Sequence, residues 1–186
     1  MAEKRIQLPL SDEDLSGLRA GESILLNGPL LTGRDAAHKR LYTALQVGEE
    51  LPVELIGETI YYVGPCPTKP GRIIGSAGPT TSSRMDSYAP ALLKLGLKGM
   101  VGKGQRSSEV IDAMVKYKAV YLAALGGAGA LIANSIVKAE VLAYPDLGPE
   151  AIYRLMVRDL PVIVAIDSLG NDLYRTGREK FARLGN

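Results

Sequence analysis

Four consecutive hydroxyl residues, Thr80 to Ser83, lead directly into Arg84, Met85 and Asp86 within the stretch GPCPTKPGRIIGSAGPTTSSRMDSY, which runs from Gly64 to Tyr88. The apolar spacing of Met85, Leu92, Leu93 and Leu95 predicts a helix from Met85 to Leu95, for which Ser and Thr are good N-cap residues. A helix start offers free N–H donors and a partial positive charge that favour an anion. Arg84 adds a guanidinium at the same place. The plain alternative is that these hydroxyls cap the helix and shape a turn without binding anything. Two other loops carry comparable cations: Arg34 in TGRDAAHKR (Thr32 to Arg40) and Lys103 in GKGQRSS (Gly102 to Ser108). Thr80 with Arg84, Arg34 and Lys103 supply hydroxyls and three cations but no metal ligands, a set suited to a small molecule with two carboxylates.

The remaining reactive residue types have simpler explanations. Lys103 lies after a predicted strand and before a predicted helix, where α/β proteins often place ligand-binding loops. It sits between glycines with no Ser or Thr behind it, so the GxxxxGK[ST] spacing fails and a nucleotide site is not expected. Gly126-Gly127-Ala128-Gly129 reads as a tight turn with close helix–sheet packing. His38, the sole histidine, could serve as acid or base, but a structural role on its helix explains it equally well. Cys66 stands between two prolines with no base nearby in sequence to activate it.

Those loops need a frame, and composition bounds what the frame can be. A chain of 186 residues is long enough for one sizeable core and points to a single domain over 1–186. The net charge of +2, from 22 basic and 20 acidic residues, gives no basic stripe that would seek nucleic acid or an anionic membrane. One cysteine excludes an internal disulfide and cannot alone hold zinc or an iron–sulfur cluster, so any metal is expected on another chain. No apolar h-region follows Met1 and no apolar run reaches membrane-spanning length, which leads to the expectation of a soluble, cytoplasmic protein.

Along the chain, Ile6, Leu8 and Leu10 read as an edge strand, and Ser11 to Asp14 as a helix start ahead of a short helix ending near Gly17 or Gly21. Ser23 to Leu31 reads as a strand with a turn or bulge at Asn27-Gly28-Pro29. Thr32 to Asp35 opens a helix from Ala36 to about Gln46. Short strands follow at Val53 to Leu55, Ile60 to Val63 and Ile73 to Ala77. From Met85 onward the rhythm changes: strands at Lys98 to Val101, Ala119 to Ala124 and Val137 to Leu142 alternate with helices at Met85 to Leu95, Ser107 to Tyr117 and Gly127 to Ser135. Glu150 to Val157 fits either helix or strand, Val162 to Ile166 is a buried strand, and Arg178 to Leu184 a terminal helix. Alternating helices and strands imply parallel pairing, so an α/β second half is expected to pack on a β-rich first half.

With TGRDAAHKR, the GPTTSSRMDSY block, the KGxRS-type loop at Lys103 to Ser107, YLAALGGAGAL from Tyr121 and PVIVAIDSLGNDLY from Pro161, nearly the whole chain resembles the β subunit of class I, iron–sulfur dependent fumarate hydratases and the related tartrate dehydratases. That resemblance implies a swivelling β/β/α domain, comparable to the mobile domain of aconitase. It implies a four-iron cluster held by a partner α subunit, hence a hetero-oligomer, with self-association of the isolated chain as a further expectation. It places Arg34, Arg84 and Lys103 on the family's substrate-binding cations and Thr80 on its proposed catalytic base. Ser83 stands where many relatives have glycine and Gln105 where many have asparagine; both changes leave the charged groups in place.

The implied reaction is reversible hydration of fumarate to malate by a subunit inactive without its α partner. Removing a proton from the carbon beside a carboxylate develops charge that fixed cations must meet, and the same cations could stabilise a threonine alkoxide. Two alternatives stand beside it: the β subunit of L-tartrate dehydratase, converting tartrate to oxaloacetate, and a non-catalytic dicarboxylate-binding or assembly module.

Overall fold

The computed structural model describes residues 4–125 and 127–181. Its frame is a long antiparallel ribbon of two strands, β2 (Ser23–Thr32) and β7 (Ile152–Ile166), registered from Ser23 opposite Ile163 to Leu31 opposite Arg154. The register shifts between Leu26 and Gly28, so the sequence's Asn27-Gly28-Pro29 is a bulge, as read. On the other edge of β2 lie β1 (Lys4–Gln7) and then β3 (Thr59–Tyr61), both parallel to it. Parallel pairing continues through β4 (Gly99–Gly102) to β5 (Val120–Ala123), and β5 returns antiparallel to the far end of β7. The ring β2-β3-β4-β5-β7 is therefore closed, which leaves these strands no open edge. β6 (Ile136–Ala143) is an antiparallel appendage on the near end of β7.

This closure corrects the expected division into a β-rich first half and an α/β second half. Parallel βαβ pairing does occur from β3 to β5, but β2 and β7, one from each half, pair along most of their length, and both halves share one sheet. The mixed α/β class stands.

Period-two alternation sorts side chains between two cores. Leu30, Tyr61, Val101 and Leu122 belong to one cluster; their neighbours Leu31, Ile60, Tyr62, Met100 and Tyr121 belong to the other, which packs against the helices. Helix α2 (Asp35–Val47) buries Ala37, His38, Leu41 and Ala44, of which Ala37 and Leu41 join that second core, and ends at Gly48 in the left-handed conformation. Helix α3 (Ala89–Lys94) and helix α4 (Ser108–Tyr117) cover the same side, α4 beginning where the Ser107 hydroxyl accepts the Val110 N–H. The short α1 (Asp12–Gly17) carries a reciprocal capping box between Ser11 and Asp14, and α5 (Gly129–Asn134) contributes Ile132 to the first core.

Four local expectations fail. The helix expected from Met85 to Leu95 is a 3-10 turn over Ser82–Met85 and then α3, because Pro90 has no N–H to bond the Asp86 carbonyl. The hydroxyl residues consequently do not cap it: neither Thr81 before the turn nor Tyr88 before α3 makes a side-chain cap bond. Residues 73–77 lie outside every ladder and are held instead by single bonds, Cys66 N–H to Ser76 O (2.9 Å) and Ala77 N–H to Gly129 O (3.0 Å). Val53 to Leu55 is likewise not a strand. Glu150 to Val157 resolves as strand from Ile152, and the last helix, α6, runs Leu173–Phe181; residues 182–184 of its expected span lie outside the described residues.

Candidate functional site

The three cation loops leave the carboxyl ends of three neighbouring parallel strands. Arg34 follows β2, the segment carrying Thr80 and Arg84 follows β3, and Lys103 follows β4. That is where α/β sheets gather ligand-binding loops.

The end of β2 is pinned before Arg34 begins. The Thr32 hydroxyl donates to Ala151 O (3.3 Å) and accepts the Tyr153 N–H (3.0 Å), while Gly33 N–H reaches Tyr61 O (3.1 Å). Arg34 then occupies the N-cap position of α2 in extended backbone. Its side chain lies against Gly64, where a Cβ would come within 2.9 Å of Arg34 Cδ and oblige the arginine to shift. Asp35, in the first turn, joins two of the candidate cations. Its Oδ2 is 3.3 Å from Arg34 Nε and its Oδ1 accepts the Arg84 Nε–H at 2.7 Å. Glu150 adds a contact to Arg34 Nη2 (3.3 Å) and accepts the Ala36 N–H (2.9 Å). Partial burial raises the Asp35 carboxyl, but a backbone N–H and the two guanidiniums outweigh it and hold the group below the ordinary carboxylate range.

Thr80 and Lys103 are joined through backbone. Thr80 N–H donates to Tyr62 O (2.7 Å), Lys103 N–H to Thr80 O (3.3 Å), and Ser82 N–H to Lys103 O (2.8 Å), with Thr81 opposite Lys103 in a short parallel bridge. Thr80 is half-buried, and Lys103 is exposed, its ammonium without an ion pair among the described residues. The structure thus pairs Arg34 with Arg84 and Thr80 with Lys103, and Arg84 follows Thr80 by one short turn.

Behind this exposed set lies a cation that sequence reasoning passed over. Arg106, wholly buried, donates from Nε to Asp86 Oδ1 (2.7 Å), contacts Tyr62 Oη at 3.4 Å, and lies over the Tyr62 and Tyr121 rings at 5.3 and 5.1 Å. Asp86 Oδ2 accepts the Ser107 N–H (2.7 Å), so one carboxylate ties the Arg84 turn to the Lys103 loop. Burial disfavours the Arg106 charge, yet Tyr62 and Asp86 more than offset this and raise its pKa. Nearby the Ser82 and Tyr121 hydroxyls are 2.8 Å apart, and Tyr121 donates to Gly104 O at 2.9 Å. A Cβ on Gly102 would overlap the Ser82 hydroxyl, which explains the glycine at the end of β4. Arginine beside serine in the KGxRS-type loop was the available signal; nothing in sequence announced that Tyr62, Tyr121 and Asp86 would enclose it.

His38 belongs to this buried layer. Its ring packs edge-on to Tyr62 (5.3 Å), Nδ1 is 3.1 Å from the Arg34 carbonyl oxygen, and Nε2 has no partner. Burial lowers its pKa to about 4, with Arg106 reinforcing and the Arg34 carbonyl and Asp35 opposing, so it is neutral near pH 7. A structural role fits that burial. Cys66 is exposed on the rim of a cavity of about 640 Å³ between residues 66–76 and α5, which none of Arg34, Arg84 and Lys103 lines. Gly129 packs on Gly78, in keeping with close packing for the glycine cluster; Gly126 lies outside the described residues. Among the described residues no three His, Cys, Asp or Glu side chains gather to hold a metal, and no helix is long and apolar enough to cross a membrane.

Three loops that carry cations, one of them also carrying Thr80, thus leave the carboxyl ends of the parallel strands β2, β3 and β4. The Fumarase C-terminus family model matches residues 1–177, and the chain belongs to that family. It is 40% identical over 171 residues to the aerobic class I fumarate hydratase of Salmonella typhimurium, covering 90% of this chain and 30% of that protein. It is 40% identical over 164 residues to fumarate hydratase 2 of Leishmania major, covering 87% and 29%. A Methanocaldococcus jannaschii protein named "Putative L(+)-tartrate dehydratase subunit beta" is 38% identical over 177 residues, covering 92% of this chain and 91% of that protein. The chain spans about 30% of the length of the fumarate hydratases it matches.

Proposed function

We propose that this chain is one unit over 1–186, the β subunit of an iron–sulfur hydro-lyase that interconverts fumarate and malate, inactive without an α partner. The observation that carries the reading is the convergence of Arg34, Arg84 and Lys103 at the carboxyl ends of three adjacent parallel strands, with Thr80 bonded through backbone to Lys103. In this reading Arg34, Arg84 and Lys103 hold the substrate's two carboxylates. Deprotonation at the carbon beside one of them moves negative charge onto it, and the fixed cations stabilise that charge in the transition state. Thr80 receives the proton on its side-chain oxygen; a neutral threonine hydroxyl is a poor base, so this role requires the site's cations to stabilise its alkoxide, and the loop that carries Lys103 is bonded to Thr80 through backbone. The described residues do not fit an iron–sulfur cluster, so the cluster and the departure of the hydroxyl are assigned to the α partner. A closed sheet moving as one body against that partner suits the swivelling role the family resemblance implies.

L-Tartrate is the second substrate reading, favoured by the relative whose length this chain matches almost entirely, which bears a tartrate dehydratase name. A site built to bind the extra hydroxyl of tartrate should reject malate strongly, so relative kcat/KM on the two decides the matter. The test is anaerobic reconstitution with the cluster-bearing partner, followed by Thr80→Ala. The expected outcome is activity only in the complex, and a kcat lowered by about two to four orders of magnitude in the variant with KM nearly unchanged. Full activity of the partner alone would leave this chain a binding module, and near-normal kcat in Thr80→Ala would remove the hydroxyl from the chemistry.

A further inference from the structure

Asp35 faces two cations whose proposed task is to bind a ligand, an unusual place for a carboxylate. It competes with an anionic substrate for charge, and it stands at the mouth, one-third exposed, where an ion pair adds little to stability. Its geometry suggests what it does instead. Guanidinium carries five N–H donors in a rigid plane, and Asp35 takes only the Nε edge of each arginine. Arg84 is left with both Nη groups unpartnered among the described residues, the edge that grips a carboxylate through two parallel bonds. Arg34 keeps Nη1 unpartnered, its Nη2 being held by Glu150. Like charges brought together repel, and a shared carboxylate offsets that repulsion between the two guanidiniums. Asp35 is also the one side chain that hydrogen-bonds Arg84, tying the turn after β3 to the start of α2 among the described residues.

We propose that Asp35 is a positioning residue for substrate carboxylates: it fixes the mutual orientation of Arg34 and Arg84 while leaving both Nη groups of Arg84 for the ligand. The proposal deepens the hydro-lyase reading and rests on it for its kinetic consequences. It makes a distinctive prediction, because Asp35 lowers the site's positive charge while improving its order. Losing the charge helps a dianion to bind but lets the guanidiniums move, and misplacement on the scale of 1 Å costs about a hundredfold in rate.

In the complex with the cluster-bearing partner, Asp35→Asn should therefore lower kcat about 10- to 100-fold while KM for the dicarboxylate stays level or falls. Asp35→Glu, which restores the charge, should recover most of the loss. Arg84→Lys, by contrast, should raise KM as well as lower kcat, because a point charge cannot replace a two-bond clamp. A role confined to starting helix α2 would lower Tm and leave this kcat–KM split absent. The independent readout is the Arg84 Nε–H signal in nitrogen-15 spectra of the full chain. It should be protected from exchange in the wild type, lost in Asp35→Asn and regained in Asp35→Glu. Loss of that signal in a chain whose wild-type complex has no hydro-lyase activity would overturn the activity reading alone. An unchanged Arg84 signal, or a kcat within threefold of wild type in Asp35→Asn, would overturn the positioning role.

Discussion

Arginine meets aspartate on both levels of this site, and the two meetings differ in the water around them. Arg84 and Asp35, at the mouth, are 49% and 33% exposed; Arg106 and Asp86, beneath it, are 0% and 14% exposed. Exposed pairs contribute between nothing and about 1 kcal/mol, since water and mobile ions compete for both partners. Their guanidinium edges remain available to a ligand. A buried guanidinium cannot be left without its counter-charge, so Asp86, Tyr62 and Tyr121 close around Arg106 and fix the loops above it. Burial thus separates a cation that can bind from one that can only hold.

The comparison breaks most readily at Asp86. Asp86→Ala strands a buried charge and removes the acceptor for Ser107 N–H, a loss expected at about 3–5 kcal/mol, which for a chain of this size is roughly 6–20 °C in Tm. Asp35→Ala should cost no more than about 1 kcal/mol. Thermal unfolding of both variants beside the wild type checks this, and equal losses at the two aspartates would mean that burial does not divide the roles.

The buried level should also respond to acid through His38. Its folded pKa of about 4 lies below the ordinary value of 6.5, so the unfolded chain takes up the proton first. The contribution is complete above pH 6.5 and disappears as pH falls through about 4, with a span on the order of 3 kcal/mol. His38 is the only histidine, so the slope of unfolding free energy between pH 6.5 and 4 should be shallower in His38→Gln than in wild type. Identical slopes would place the imidazole in contact with water, outside the sealed layer.

The two levels were not equally legible in sequence. Arg34, Thr80, Arg84 and Lys103 stood out because each sits in a loop rich in Gly, Ser or Thr, where a charge needs an explanation. Most elements were legible too, down to the bulge at Asn27-Gly28, because turn residues and apolar periodicity are local signals. Closure of the sheet was not, since β2 and β7 pair across more than a hundred residues and an apolar strand does not name its neighbour. Residues 73–77 have β-forming isoleucines, but a Cβ on Gly75 would collide with the Cys66 carbonyl oxygen, and this close crossing replaces a ladder. Asp35 was in plain view beside Arg34 and was read only as a helix opener. Its bond to Arg84 joins positions 49 apart, a relation that exists only after folding.

The smallest effect is expected at Thr81, and it sharpens the comparison within the exposed level itself. Thr80 and Thr81 are chemically identical neighbours, and the sequence alone would give Thr81 a capping role whose loss costs about 0.5–2 kcal/mol. The structure lowers that figure. Thr81 precedes the 3-10 turn, but its side chain makes no cap bond and is exposed, and it meets Lys103 through the backbone bridge, which alanine preserves. Thr81→Ala should therefore change stability by no more than about 0.5 kcal/mol. Urea unfolding of this variant, run beside turnover of the complex, measures both sides of the contrast with Thr80→Ala. A tenfold loss of kcat in Thr81→Ala, with Thr80→Ala spared, would exchange the two residues and put the working hydroxyl on the Lys103 side of the bridge.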